Sequence, residues 1–143
     1  MIQKMAHTGI FVLDQDVAKD FYVNKLGFEL KTDYSAPNGY RWLTVAPKGQ
    51  TEIEIALLKV GSGNPSGDAE SHRKDVESMA GLLKKGWFSA GVFHTADCRK
   101  TYEEYKSKGV EFVTEPKDEF YGVVCVFKDP FGNLISMNQP KNR

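Results

Sequence analysis

Few side chains in this sequence can hold a metal or move a proton from a fixed position. The three histidines are His7, His72 and His94, and the two cysteines are Cys98 and Cys125. Glu52 and Glu54 alternate in Thr51-Glu-Ile-Glu-Ile55, so on a strand both carboxylates would face one side. Imidazole and carboxylate are the donors of divalent-metal sites and the usual general acids and bases. His7 opens an apolar, β-rich stretch and reads either as a hydrogen-bonded pocket residue or as a metal ligand. His94 reads as a pocket or strand-end residue. His72 stands with Arg73 and Lys74 and reads as solvated. Cys98 falls in the first turn of a helix, where thiol pKa values drop, and is the better candidate for reactivity. No His or Asn pattern supports a cysteine nucleophile. The stretch Gly61-Ser-Gly-Asn-Pro-Ser-Gly67 lacks the Lys-Ser/Thr of a P-loop and reads as linker.

The elements that must position these groups repeat. Met5 to Leu13 reads as a strand, and Asp14 as the N-cap of a helix with Val17, Ala18, Phe21 and Tyr22 at helical spacing. Gly27 closes that helix. Strands are expected over Phe28–Asp33, Arg41–Ala46 and Glu52–Leu58. The same order returns with Ser89–His94, a helix capped by Asp97 and closed by Gly109, then Val110–Thr114, Val123–Phe127 and Leu134–Met137. Asp14 to Asp97 is 83 residues and Gly27 to Gly109 is 82. A shared order at a constant offset predicts two βαβββ modules, at 5–58 and 87–139. Between them, 59–86 holds the linker and an extra helix over Asp68–Lys85, with Val76, Met79, Ala80 and Leu83 on one face. The expected fold is α+β: two tandem modules forming one cupped mixed sheet with helices outside, a single domain over 1–143. Alternation places Phe11, Trp42, Thr44, Val92, Tyr121, Cys125, Phe127 and Asn138 in the cup with His7 and Glu54.

Composition excludes several classes of function. Lys plus Arg and Asp plus Glu each number 19, so the net charge is zero, and the pI is 6.8. A nucleic-acid binder would carry a basic excess or stripe. No apolar run is long enough for a membrane span or a signal-peptide core. A length of 143 residues can bury roughly two-thirds of the unfolded chain's surface, so no disulfide framework is needed. A cytoplasmic location follows as the expectation.

At the level of motifs, the chain resembles the vicinal oxygen chelate superfamily of glyoxalase I, bleomycin-resistance proteins and extradiol dioxygenases. The resemblance rests on His7-Thr-Gly-Ile-Phe-Val-Leu-Asp14, Asp20-Phe-Tyr22, Lys25-Leu-Gly-Phe-Glu-Leu30, Arg41-Trp-Leu-Thr-Val-Ala-Pro47 and Glu52-Ile-Glu-Ile55. The second module adds Thr95-Ala-Asp-Cys98, Lys108-Gly-Val-Glu-Phe112 and Lys128-Asp-Pro-Phe-Gly-Asn133. The resemblance implies a metal held by one ligand on the first and fourth strand of each module, acting as a Lewis acid. His7 and Glu54 match two of these positions. The other two fall on Ala90 and Ser136, so half of the ligand set is missing.

Together these readings point to a small organic molecule bound in an aromatic, partly acidic cup, with no cofactor expected. The expected contacts are His7, Phe11, Trp42, Thr44, Glu52, Glu54, Val92, His94, Tyr121 and Ser136. Two alternatives stand beside it. One is a divalent-metal-dependent lyase or dioxygenase using His7 and Glu54. The other is a non-catalytic, drug-sequestering resistance protein. The chain is expected to form a homodimer, without nucleic-acid or membrane partners.

Overall fold

The computed structural model describes residues 1–62 and 68–141, so most of the linker expected at Gly61–Gly67 lies outside the described residues. The chain divides into two compact units, Met1–Gly81 and Leu82–Arg143.

In the first unit, β1 (His7–Val12) leads into α1 (Gln15–Lys19), which continues as a π-helical segment, Asp20–Lys25. Asp14 caps α1 by accepting the backbone N–H groups of Asp16 and Val17. The π-helical register, with Leu26 N–H bonded to the Phe21 carbonyl, buries the consecutive residues Phe21 and Tyr22 together. Gly27, at φ +78°, turns the chain out of the helix into β2 (Glu29–Ser35). β3 (Arg41–Ala46) and β4 (Glu54–Lys59) follow. The sheet order is β1-β4-β3-β2, with β1 and β4 parallel and the other pairs antiparallel. Ile10, Val12, Leu43, Val45, Ile55 and Leu57 bury one face of this sheet, on the helix side with Ala18, Phe21 and Tyr22.

A charged network fastens α1 to that sheet. Arg41 donates to both oxygens of Asp33 at 2.8 and 2.9 Å and to Asp16 at 2.6 Å, and Lys19 donates to Asp33 at 2.9 Å. The guanidinium and ammonium beside it hold the Asp33 carboxyl well below the usual carboxylate range. Gln15 adds bonds to the carbonyls of Arg41 and Leu57.

The boundary between the units falls inside α2 (Ala69–Lys84), the extra helix read from the sequence. The second unit contains β5 (Ser89–His94), α3 (Cys98–Ser107), β6 (Glu111–Phe112), β7 (Lys117–Glu119), β8 (Gly122–Lys128) and β9 (Leu134–Pro140). Its sheet order is β5-β9-β8-β6, with β7 also paired to β8. This repeats the first unit's order strand for strand and confirms the α+β class and the βαβββ pattern. The strands make two hydrogen-bonded sheets, of four and five strands, where the sequence reading expected one continuous sheet. Among the described residues, no helix is long and apolar enough to cross a membrane.

Candidate functional site

The face of the first sheet opposite α1 gathers the residues with chemistry. The register pairs His7 on β1 with Glu54 on β4. The next row along the sheet is low: Gly9, Ala56 and Thr44 lie side by side. His7 and Trp42 stand on either side of that row, and their rings meet edge to face with centroids 5.3 Å apart. Thr44 is fully buried beneath them, and its hydroxyl donates to Glu54 Oε1 at 2.8 Å. His7 Nε2 lies 3.7 Å from the same oxygen, an ion-pair distance too long for a hydrogen bond. Glu54 Oε1 is therefore held by Thr44, with the His7 ring and the aromatic edge of Trp42 close by. Phe11 shares this face and is about two-fifths exposed.

Glu52 does not join them. It sits in an exposed bend before β4 begins, so the strand alternation expected to align it with Glu54 does not reach it.

On the second sheet, the corresponding face carries two rows. Val92, Ser136 and Val126 are in register, and His94, Asn138 and Val124 follow. Val92 and His94 are exposed. Asn138 Oδ1 is buried without a hydrogen-bond partner among the described residues. Sequence spacing had matched Ala90 and Ser136 to the His7–Glu54 pair. In the structure β5 has an irregularity between Ser89 and Val92, where Gly91 adopts φ +110°, and Ser136 faces Val92 instead. Leu134 pairs with Ser89. Tyr121 lies at the exposed tip of the β7–β8 hairpin, edge to face with Phe120.

Two expected cup residues point the other way. Cys125 and Phe127 are buried on the α3 side of β8. Cys125 Sγ touches Cys98 Sγ, and Phe127 packs edge to face on Tyr105 of α3. Cys98 is likewise buried in the core. Burial raises its pKa, and burial pushes Cys125 up to about 12. His72 is half-buried, beside Gly61, rather than fully solvated.

The four-ligand metal centre implied by the resemblance does not fit these residues. The first sheet supplies two donors, one of which already accepts from Thr44. The second sheet supplies Val92, Ser136, Ser89 and Leu134 in register. Among the described residues, no group of three or more His, Cys, Asp or Glu side chains is placed to share an ion.

A fold of paired βαβββ units, with His and Glu in register on the first and fourth strands, defines a class. The chain belongs to the glyoxalase/bleomycin resistance protein/dioxygenase superfamily, whose family model matches residues 4–137. Among curated proteins it is 40% identical to the uncharacterized protein YurT of Bacillus subtilis strain 168, over 95% of this chain and 98% of that one. Among solved structures it is similar to UcmS2, with 42% identity, a TM-score of 0.84, and 96% and 98% of the two chains covered. It is also similar to TnmS3, an antibiotic binding protein from Streptomyces sp. CB03234, with 30% identity, a TM-score of 0.73 and 98% of each chain covered.

Proposed function

We propose that this chain binds and sequesters a small organic molecule bearing an aromatic ring and a cationic or hydrogen-bond-donating group. The observation that carries this reading is the Glu54 carboxylate, fixed by Thr44 and flanked by the His7–Trp42 edge contact. An aromatic ligand ring gains from an edge or stacked contact with Trp42, about 0.5–1.5 kcal/mol beyond the area buried. A donor group on the ligand completes the Glu54 carboxylate. A cation there adds a charge-assisted bond, roughly twice as strong as a neutral one. The likeness to an antibiotic binding protein supports the same class of ligand.

The reading treats both units as one working domain. It includes a homodimer, supported by the place of β1 and β2 as the outer strands of the first sheet, since sheet edges call for pairing or cover. Two unbonded thiols in contact support a reducing, cytoplasmic setting.

The chain has two tryptophans, so Trp87→Phe leaves Trp42 as the sole emitter at the site. That variant is titrated with a panel of cationic and neutral aromatic antibiotics, bleomycin among them. Saturable quenching of Trp42 is expected, weakened at least about tenfold by His7→Ala or Glu54→Gln, or ~1.4 kcal/mol. The ligand should be recovered chemically intact by mass spectrometry. Absence of quenching across the panel would reject the reading. A ligand altered only when divalent metal is added, and only with His7 present, would establish the metal-dependent lyase or dioxygenase instead.

A further inference from the structure

A second cluster of potential ligands lies on the helix side of the second sheet, away from His7 and Glu54. The chain has only two cysteines, and the fold brings their sulfurs to 3.5 Å across 27 residues of sequence. Both are free thiols and both are buried. Cys98 is the first residue of α3, and Cys125 lies in the middle of β8. The register sets Cys125 directly opposite Met137 on β9. Opposed residues on antiparallel strands share a face, with Cβ atoms about 4.5–5.5 Å apart. Met137 is buried like the two thiols. The two thiols therefore meet under α3, with Met137 next to Cys125 on the same face of the sheet.

We propose that Cys98, Cys125 and Met137 form a binding site for a soft monovalent cation of the copper(I) or silver(I) type.

Thiolate and thioether sulfurs select copper(I) over the hard ions that prefer carboxylate and water. Two sulfurs bound to one ion at about 2.3 Å stand roughly 3.8–4.0 Å apart for angles between tetrahedral and trigonal. The observed 3.5 Å is short of that by a few tenths of an ångström, which small side-chain rotations supply. Two oxygens lie nearby: the Met137 carbonyl, 4.0 Å from Cys98 Sγ, and Gln139 Oε1, which accepts the Cys98 backbone N–H at 2.9 Å. Binding replaces the two S–H protons, so two protons leave for each ion that enters and the metal keeps its oxidation state. The site is independent of the proposed ligand face, since its residues lie on the opposite side of the strands.

The test uses the reduced full chain under anaerobic conditions. Copper(I) is titrated in competition with a chromophoric copper(I) chelator, and silver nitrate is titrated separately. One equivalent should be withdrawn from the chelator, with an ultraviolet thiolate-to-copper charge-transfer band and release of about two protons per ion. The double variant Cys98→Ala/Cys125→Ala should lose that equivalent. Met137→Leu conserves volume, and should keep the stoichiometry while losing affinity about tenfold or more. Should the double variant fail to fold by circular dichroism, the near-isosteric Cys125→Ser serves in its place. An equivalent that survives removal of the thiols would overturn the site. Unchanged affinity in Met137→Leu would overturn the three-sulfur assignment.

Discussion

At the residue scale, environment rather than residue type decides which groups can react. Cys98 has the position of an activated thiol, at the start of a helix. Yet its side chain is buried against Cys125, and desolvation of a thiolate there raises its pKa. With Cys125 pushed up to about 12 and Cys98 raised in the same direction, both remain protonated at neutral pH. A colourless disulfide reagent at about pH 8 should therefore release no thiol signal from the native chain, and two equivalents after denaturation. Rapid native labelling of either cysteine would show that the α3 N-terminus opens readily. Glu54 is the converse case. Its sequence neighbourhood marks it only as an acid on a strand, and the feature that makes it useful is Thr44, ten residues earlier, which fixes one oxygen from below. Thr44 was legible as facing the same side, from alternation alone. The bond itself was not legible, because it depends on the antiparallel register of β3 and β4.

At the element scale, the turn Asp129-Pro-Phe-Gly-Asn133 shows how a family signature can be structural. Asp129 Oδ1 accepts the backbone N–H groups of Phe131, Gly132 and Asn133 at 2.9, 3.1 and 3.0 Å, and Asn133 Nδ2 donates to Oδ2 at 2.7 Å. Both side chains are buried and spent on the turn, so neither is available to a ligand. Gly132 adopts φ +108°, and a Cβ there would overlap the carbonyl oxygen of Leu83 at the end of α2. Gly132→Ala should therefore combine backbone strain with a steric clash. A loss of about 2–4 kcal/mol is expected, read as a lower urea midpoint at constant slope. A change below about 0.5 kcal/mol would mean that α2 does not press on this turn. Elements with strong caps and periodicity were legible: Asp14 and Asp97 as N-caps, Gly27 and Gly109 beyond the helix ends, and α2 within a residue at each end. β7 was not, since Lys117-Asp-Glu119 has no alternation and forms a strand only by pairing with β8. The side toward which β8 turns Cys125 and Phe127 was misread for a related reason. Val123-Val-Cys-Val-Phe127 is apolar on both faces, so alternation sorts it into two sets without saying which set meets the helix. The bulge at Gly91 moved Ser136 opposite Val92, a shift no spacing rule counts.

At the scale of the whole molecule, the two units share a strand order, and each ties its helix to a strand through different charges. The repeat was legible because caps and glycines recur at a fixed offset, whereas the division into two sheets depends on which strand edges pair. The first unit clamps its helix with the Asp16–Arg41–Asp33–Lys19 network, and in the second Arg99 of α3 pairs with Asp118 of β7 at 3.0 Å. With a net charge of zero at neutral pH, the folded chain carries little self-repulsion. Acid sensitivity should then be governed by individual carboxylates held ionised, and Asp33 is the clearest of them. A carboxyl whose folded pKa lies below its unfolded value binds its proton more weakly when folded. Its stabilisation is complete above the unfolded value near about 4, and drains away as pH falls through the folded value. Asp33→Asn should thus cost about 1–2 kcal/mol at neutral pH, discounted for partial exposure. The gap from the unaltered chain should narrow steadily below about pH 4, because acid removes from the unaltered chain the charge that the variant already lacks. Urea unfolding of the two proteins across that range measures it. A gap that stays constant into acid would assign the loss to packing around α1, and the charge clamp would no longer account for how the first unit holds its helix.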